Sequence, residues 1–303
     1  MTAKHKVAKK STKTANSSKS ARKPKSAAPR SARAAMAVAT SRRSTDKERA
    51  AAMAEVPLAV CESDKDLQAV LSVLRNTDEP VEVRLAALQS LAAAAFSVVA
   101  FESCRADYIG TLREVAGDAD PEIRQRVLGL LAREKDGYAQ KRLLEGLQNP
   151  KRALVPPEKA LQLLSYDVHA DAYAAARAIV SKPPNAEAKR EALRLLAADA
   201  TASPMFEKIL RDKGELPEYR QIAASALHAI KPETLQAHAR EMLLDPSEQE
   251  EIQATSLTAL TQFGDGAAIV EDKALLKGVE RLSRQASTKV KKCASQFLGR
   301  YRR

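Results

Sequence analysis

Apolar residues recur at helical spacing in a motif that repeats along most of the chain. In residues 83–91 (VRLAALQSL), a small residue and a leucine stand four positions apart, which places both on one face of a helix. The same frame recurs at residues 123–131, 188–196, 219–227, 252–260 and 290–298, with a divergent copy at 156–164. The terminal leucines are Leu91, Leu131, Leu164, Leu196, Leu227, Leu260 and Leu298, and successive ones are 40, 33, 32, 31, 33 and 38 residues apart. The pattern predicts seven structural repeats.

A second helical pattern lies upstream of the copies, so each repeat is predicted to be a pair of helices. An example is the set of apolar positions Leu67, Val70, Leu71 and Leu74 before the first copy. Turn and helix-start residues separate the two helices, at 76–80, 117–121, 183–185, 214–217 and 245–247. Proline in these turns starts the second helix at low cost, because its missing N–H would be unpaired there anyway. Each unit is therefore predicted to be an αα-hairpin of 31–40 residues that depends on its stacked neighbours for stability.

The start of the second helix carries a distinct motif in the first two repeats. Asp78, Pro80 and Arg84 occur in one repeat, and residues 120–124 read Asp-Pro-Glu-Ile-Arg in the next. In these residues the chain resembles the HEAT-repeat family, whose second helices begin with a D-x-x-P-x-V-R pattern. The resemblance covers about 235 residues and weakens towards the C-terminus. The residues that depart from the pattern in the later repeats are Pro157, Lys189, Gln253 and Lys291.

The resemblance implies an all-α, right-handed α-solenoid of about seven HEAT-like helical hairpins. Tetratricopeptide repeats are the alternative solenoid, but their fixed period of about 34 residues and their Trp, Gly and Tyr signature are missing here. The resemblance also implies that Arg84 and Arg124 each pair with a carboxylate of the preceding turn. We expect these arginines to be structural clamps rather than ligand contacts.

Composition favours the same all-helical class. Ala and Leu dominate, aromatic residues make up 4% of the chain and Trp is absent, which suits helices better than strands. Cys61, Cys104 and Cys293 lie far apart in the sequence and form no CxxC or Cys/His cluster, so we predict a reducing compartment, the cytoplasm. No run approaches the roughly 18 apolar residues that a membrane-spanning helix needs, and we predict no membrane span.

Charge is distributed unevenly along the chain. Residues 1–45 carry thirteen Lys and Arg without any Asp or Glu, and residues 281–303 carry eight more bases, so residues 46–280 hold 29 bases against 38 acids. Because residues 1–45 contain almost no large apolar side chain, we predict a disordered basic tail there. A linker or short capping helix is predicted at 46–63 and the solenoid at 64–303. The basic C-terminal end fits the polar cap of a solenoid.

The basic tail is a candidate polyanion-binding segment. Its bases would neutralise phosphates without reading a sequence, because the tail has no Phe, Tyr or Trp on which nucleobases could stack. Nucleic acid and polyphosphate are therefore candidate partners. Other hypotheses are an anionic membrane surface, an organellar transit peptide and a tail that only solubilises. The bases of the tail are Lys4, Lys6, Lys9, Lys10, Lys13, Lys19, Arg22, Lys23, Lys25, Arg30, Arg33, Arg42 and Arg43.

No residue pattern in the chain indicates catalysis. His169, His228 and His238 lack metal-pair spacing, and His169 with Asp167 and Asp171 is more typical of a helix start than of a metal cluster. There is no phosphate-binding glycine loop and no nucleophile elbow. Among enzymes with similar repeats, the di-iron hydroxylases need His-Glu pairs and the alkylpurine DNA glycosylases need Trp, both absent here, whereas the phycobilin lyases have no short signature to test. We predict no catalytic, cofactor or metal site.

The sequence leads to the hypothesis of a non-catalytic interaction scaffold or adaptor. The concave surface lined by the second helices would hold a protein partner, while the tail tethers the assembly to nucleic acid or another polyanion. One alternative is a solenoid that itself contacts DNA or RNA, against which the acidic middle of the chain argues; a HEAT-like lyase is another. The candidate partner-facing residues are Gln125, Arg126, Arg190, Arg194, Gln221, Thr255 and Thr258.

The repeat register predicts which leucines are buried. Replacing Leu131 or Leu196 by Ala should lower the free energy of unfolding by about 2–5 kcal/mol, the usual cost of truncating a buried leucine. Thermal denaturation measures this loss, and an unchanged midpoint would contradict the register.

Overall fold

The protein, described by a computed structural model over residues 31–57 and 59–302, contains only helices and turns in that part of the chain. The α-helices are α1 (Ala32–Ala39), α2 (Asp46–Met53), α3 (Asp64–Arg75), α4 (Val81–Ala94), α5 (Val98–Phe101), α6 (Arg105–Val115), α7 (Pro121–Arg133), α8 (Gly137–Gln148), α9 (Pro157–Leu164), α10 (Ala170–Ser181), α11 (Ala186–Leu196), α12 (Ser203–Arg211), α13 (Pro217–Ile230), α14 (Pro232–Leu244), α15 (Glu250–Phe263), α16 (Gly266–Glu271), α17 (Lys273–Gln285) and α18 (Thr288–Tyr301).

The helices pack as stacked antiparallel pairs. The seven predicted hairpins are α3/α4, α6/α7, α8/α9, α10/α11, α12/α13, α14/α15 and α17/α18. Each second helix, from α4 through α7, α9, α11, α13 and α15 to α18, also contacts the second helix of the next hairpin. The prediction of an all-α solenoid of about seven helical hairpins is therefore confirmed.

Local sequence determines where the second helices begin. Pro121, Pro157 and Pro217 each occupy the first position of a second helix, where the missing proline N–H costs no hydrogen bond. The Asp120 carboxylate caps α7 by accepting hydrogen bonds from the backbone N–H groups of Glu122 and Ile123, both at 2.9 Å. The predicted turns therefore lie between the two helices of each hairpin.

The repeat leucines form most of the predicted spine. All the small residues four positions before them are buried, and six of the seven leucines are at most 3% exposed. The exception is Leu298, which is only half-buried, whereas the adjacent Phe297 is fully buried. In the last hairpin the Phe297 ring therefore fills the core, and Leu298 packs against that core without being fully buried as predicted.

The region predicted to be tail and linker contains a further hairpin. Helices α1 and α2 pack together, and α2 also contacts α4. Residues 48–56 follow the repeat frame, because Arg49, Ala52, Met53 and Val56 are all buried. The prediction that the disordered tail extends to residue 45 is wrong for residues 31–45, since Met36 and its neighbours in α1 pack into the core. The part of the tail prediction that concerns residues 1–30 lies outside the described residues.

Buried arginines at the second position of the repeat frame clamp consecutive hairpins together. The Arg220 Nε–H donates to the carbonyl of Leu210 at 2.8 Å, which satisfies a free carbonyl at the end of the first helix. Both terminal nitrogens of Arg220 then donate to the carboxylate of Glu248, in the turn of the next hairpin, at 2.7 Å each. The Arg220 side chain is 0% exposed and that of Glu248 is 2% exposed.

The same clamp occurs in two earlier hairpins. Arg84 donates to the Leu74 carbonyl at 3.0 Å and to both oxygens of Asp118. Arg49 donates to the Ala39 carbonyl at 3.3 Å and to Glu79 at 2.5 Å. Each carboxylate belongs to the turn of the following hairpin, so the expected pairing of Arg84 with the preceding turn is wrong. The clamp joins two repeats instead of closing one.

Arg124 makes a different contact from the one expected. Its guanidinium donates to the backbone carbonyls of Asp118, Ala119 and Leu154 at 2.6, 2.8 and 3.0 Å, and to no carboxylate. Because Leu154 precedes α9, this arginine still links its hairpin to the next one. In α11, Lys189 replaces the arginine and pairs with Glu215 at 2.5 Å.

The pKa values of two clamp carboxylates reflect these contacts. The hydrogen bond from Arg49 lowers the pKa of Glu79 against the opposing effect of burial. Burial alone would raise the pKa of Asp118, but hydrogen bonds from Arg84 and from the Asp120 N–H outweigh it and lower the pKa. Both carboxylates are therefore ionised more readily in the folded chain than in the unfolded chain, and their stabilising contribution is lost only as the pH falls through the acidic range.

A second set of ion pairs joins the first helices. Arg113 on α6 donates to Asp136 at 2.6 Å, Arg177 on α10 pairs with Asp199, and Arg240 on α14 pairs with Asp272. Each aspartate is also the N-cap of the next helical segment, so a single carboxylate satisfies both the arginine and the free N–H groups of a helix start. At these three joints, ion pairs therefore also connect consecutive hairpins along the edge formed by the first helices.

The apolar core is divided into two clusters at the hairpin α14/α15. One cluster extends from Ala35 to Ile252, and the other from Ala239 to Tyr301. Helix α14 contributes Leu235 and Met242 to the first cluster and Leu243 to the second. The arginine position in α15 holds Gln253, which is buried, so the clamp is missing at this joint.

None of the single helices in the described residues is long and apolar enough to cross a membrane. Helix α4 and the segment Val98–Val115 would together be long and apolar enough, but the chain bends by 118° between them.

The Arg220 clamp gives a test of the inter-repeat connection. Arg220→Met should cost about 3–5 kcal/mol of unfolding free energy, because it leaves the buried Glu248 carboxylate without its base. The double variant Arg220→Met/Glu248→Met should regain most of that loss, since both charges are then removed together. Urea denaturation of the two variants measures the difference. A double variant no more stable than the single one would show that the unpaired carboxylate is not the source of the loss.

Candidate functional site

The side of the solenoid formed by the second helices carries three open grooves, and we call this side the second-helix face. The N-terminal groove lies across α4, α7 and α9, with a volume of about 660 Å³. The central groove, of about 500 Å³, lies between α11 and α13. The C-terminal groove, of about 350 Å³, lies across α13, α15 and α18. The repeat places equivalent positions of successive helices side by side, so the grooves follow one continuous face.

The N-terminal groove combines an apolar floor with a polar rim. Leu85 and Leu88 of α4, Leu130 of α7 and Leu163 of α9 form the floor. The rim carries the amides Gln89, Gln125 and Gln162 and the bases Arg126, Arg133 and Lys159. The guanidinium carbon of Arg133 lies 6.0 Å from the ring centroid of Tyr166, a side chain that is 49% exposed. This groove therefore offers both apolar contact and cationic donors.

The central groove contains Arg194 and Gln221. Arg194 is tied to Glu191 on its own helix at 2.7 Å. Arg190 contacts Glu218 of the next second helix at 2.8 Å, and it does not line the groove. The cations of this region are therefore already paired within the protein.

The C-terminal groove is mainly apolar. The rings of His228 and Phe263 stack with their centroids 3.9 Å apart, and Phe263 is 49% exposed. Thr255 and Thr258 line the groove, but their hydroxyls donate to carbonyls one turn earlier in α15, at 2.8 and 2.9 Å. These threonines therefore offer a ligand their methyl groups and the accepting lone pairs of their hydroxyls, but no free hydroxyl proton.

The structure brings most of the predicted partner-facing residues onto one surface. Six of the seven line a groove of the second-helix face: Gln125, Arg126, Arg194, Gln221, Thr255 and Thr258. Arg190 instead contributes to the contact between α11 and α13. That these residues contact a partner stays a prediction.

Most of the predicted polyanion-binding residues, Lys4 to Arg30, lie outside the described residues. Arg33 and Arg43 are exposed beside α1, and Arg42 contacts the clamp carboxylate Glu79 at 3.7 Å. Arg42 therefore contributes to the first clamp as well as to the basic N-terminal region.

The histidines do not assemble a metal site in the described part of the chain, where no three His, Cys, Asp or Glu side chains form a metal-binding group. His169 lies 3.1 Å from Asp167, whose carboxylate also accepts a hydrogen bond from Gln140 at 2.8 Å. His238 is buried near Glu207 and Glu241, at 3.8 and 3.6 Å. Glu241 is three positions away on the same helix, whereas the contact with Glu207 depends on how α12 and α14 stack.

The fold brings two of the three cysteines, Cys61 and Cys104, into contact, although they are 43 positions apart in the chain. Burial, together with a hydrogen bond with the thiol of Cys104, raises the pKa of Cys61 to about 12. A thiol in this state is a poor nucleophile, because the thiolate is the reactive form. Neither Cys61 nor Cys104 lines any of the three grooves. The third cysteine, Cys293, lines the C-terminal groove.

No protein-family model matches the sequence, and no curated protein is similar to it in sequence. Among solved structures, the chain is similar to one in the complex of CpcE and CpcF of phycocyanin lyase from Nostoc sp. PCC7120. The identity is 15%, the match covers 92% of this chain and 98% of that chain, and the TM-score is 0.29. A likeness this weak assigns neither fold nor function, so the architecture rests on the helix packing itself.

Proposed function

We propose that the chain is a non-catalytic interaction scaffold of the HEAT-like type, whose second-helix face holds a protein partner. The observation that carries this proposal is the continuous row of three open grooves along that face. The side chains that hold the fold together, such as Arg220 and Glu248, are buried between repeats, whereas the groove residues remain accessible. An extended, open surface of this kind suits a polypeptide better than a small molecule, which favours a concave pocket that encloses it.

The proposed partner contacts differ along the face. The N-terminal groove supplies cations and amides, whereas the C-terminal groove supplies the stacked His228 and Phe263 and the threonine methyl groups. Exposed aromatic side chains such as Phe263 are enriched in the contact surfaces of protein interfaces. We place this role in the cytoplasm, because an odd number of cysteines without a disulfide suits a reducing compartment.

The basic tail has a separate role in this proposal. The ten bases of residues 1–30 tether the scaffold to nucleic acid or another polyanion without reading a sequence. The alternative, in which the solenoid itself contacts nucleic acid, draws support from the bases of the N-terminal groove. Removal of residues 1–30 separates these two possibilities. The lyase alternative has no supporting observation among the described residues.

Partner binding can be tested at a residue shared by two grooves. Ser225 is exposed and lines both the central and the C-terminal groove. Ser225→Arg should abolish or strongly reduce capture of the proteins that the unmodified chain retains, because the large side chain fills both grooves. The measurement is affinity capture followed by mass spectrometry.

Ala174→Arg is the matched control, since Ala174 is an exposed position of the first helix α10. Its captured proteins should match those of the unmodified chain. Identical captured proteins for all three chains would contradict the proposed role of the central and C-terminal grooves, which Ser225 lines.

Removal of residues 1–30 tests the tail. Binding of duplex DNA should weaken and lose most of its salt dependence, because each phosphate neutralised contributes about 0.9 to the slope of log affinity against log salt. Protein capture should be unchanged. The truncation must end before α1, since a chain starting at residue 46 would lose a helix of the first hairpin. Retention of the full salt slope by the truncated chain would locate polyanion binding in the solenoid.

A further inference from the structure

We infer that the N-terminal groove binds an acidic amphipathic segment of a partner protein, with apolar side chains on the groove floor and carboxylates at the rim. This inference rests on the proposed function and specifies the chemistry of the partner at one groove. It follows from the charge, the shape and the unused hydrogen-bonding groups of the groove.

The groove is basic although the body of the protein is acidic. Three bases and no acid line it, whereas residues 46–280 as a whole hold more acids than bases. Arg126 is paired with Glu122 at 2.6 Å, on the same helix. Arg133 and Lys159 have no carboxylate within 4.0 Å among the described residues. Two cations at the rim are therefore free to pair with an external anion.

The amides at the rim are also unused. Gln89, Gln125 and Gln162 stand on three successive second helices, and all three are exposed. Their side chains can donate to carboxylates and accept from N–H groups of a bound peptide. Together with Arg133 and Lys159 they form a polar border on both sides of the leucine floor.

The middle of the floor is open because α7 carries a glycine there. Gly129 occupies the frame position that holds Gln89 in α4 and Gln162 in α9. A Cβ at this position would have a single neighbour within 4 Å, the Leu163 side chain at 3.9 Å, which is an ordinary contact. Packing within the protein therefore does not require a glycine. Its lack of a side chain instead leaves a depression where an apolar side chain of a ligand fits.

The charges and the apolar surface of the N-terminal groove together indicate which kind of molecule binds there. The chain's own tail is excluded, because residues 1–30 carry ten bases and no acid. Nucleic acid would meet the cations but would leave the leucine floor without an apolar partner. Two further apolar side chains are exposed after α4, namely Phe96 in the following turn, at 88%, and Val99 in α5, at 93%. An amphipathic helix with acidic flanks satisfies both the floor and the rim, as in other helix-in-groove complexes.

Three variants of the full-length chain test this inference. Arg133→Glu/Lys159→Gln removes the free cations, and Gly129→Gln fills the floor without changing the charge. Lys208→Glu/Arg211→Gln is the control, because it changes the net charge by the same amount on the first helix α12, where both residues are exposed. Circular dichroism and thermal denaturation establish that each variant is folded.

The probe is a fluorescent synthetic peptide of Leu and Glu, with Leu at helical positions i, i+3, i+4 and i+7. A second peptide has the same composition in scrambled order, and a third replaces every Glu by Lys. A labelled single-stranded oligonucleotide completes the set. Because every variant keeps the basic tail, binding to the tail affects all titrations equally, and the differences between variants report the groove.

The expected result is that each groove variant weakens binding of the Leu/Glu peptide by about tenfold or more, whereas the control variant binds like the unmodified chain. The scrambled and Lys peptides should bind more weakly to the unmodified chain than the Leu/Glu peptide does. Equal weakening by the control variant, or no effect of Gly129→Gln, would overturn the inference. A larger effect of the groove variants on the oligonucleotide than on the peptide would identify a nucleic-acid site instead and would also overturn it. Self-association of the unmodified chain that the groove variants abolish would show that a second copy fills the groove.

The outcome is separable from the test at Ser225. If Ser225→Arg abolishes protein capture while all variants bind the peptide equally, the scaffold proposal stands and the acidic-segment inference falls. If the groove variants weaken peptide binding while Ser225→Arg leaves capture unchanged, the inference stands and the proposed extent of the partner surface falls.

Discussion

The buried arginine that joins one hairpin to the next is the interaction on which the architecture depends. A helical hairpin in a solenoid contacts only its neighbours, so the relative position of two repeats is determined entirely at their common boundary. Apolar side chains such as Leu131 supply most of the attraction there, but apolar contact is not directional. The guanidinium of Arg220 adds direction, because its planar group binds a helix-end carbonyl and a carboxylate of the next turn at fixed angles. The grooves inherit their alignment from these joints.

The clamps also explain how an acidic body presents a basic groove. Many carboxylates of the protein lie between repeats. Asp118 binds Arg84 there, and Asp272 both binds Arg240 and caps α17. Acids used in this way are not available to neutralise the bases on the second-helix face. The net charge of residues 46–280 therefore does not predict the sign of the charge on the second-helix face. That sign depends on which charged residues are paired between the repeats.

The repeat pattern was sufficient to predict the helical hairpins, their turns and six of the seven buried leucines, because a buried face repeated at fixed spacing is visible in one dimension. It was insufficient where contacts join distant residues. The partner of Arg84 lies 34 residues away in the next turn, and the contact between Cys61 and Cys104 depends on how two repeats stack. In the first hairpin, α2 lies in the segment predicted to be a linker or short capping helix, whereas α1 was missed because its small side chains, such as Ala35, resemble a low-complexity segment. The signal present there was Arg49 followed by Ala52 and Val56 in the repeat frame.

The predicted groove residues lie mostly on one surface, since position in the repeat decides which side of a helix a residue occupies. No pattern in the sequence could show that Gly129 opens the floor of the N-terminal groove.

The division of the apolar core at α14/α15 has a consequence for binding. With Gln253 in place of an arginine, the joint to the last hairpin lacks the buried arginine clamp that is present at three earlier joints, although Arg240 and Asp272 still connect its other edge. The C-terminal groove takes side chains from α13 on one side of this division and from α18 on the other. We expect a segment bound in this groove to contact both sides of the division, so that its binding would also stabilise the packing of the C-terminal end.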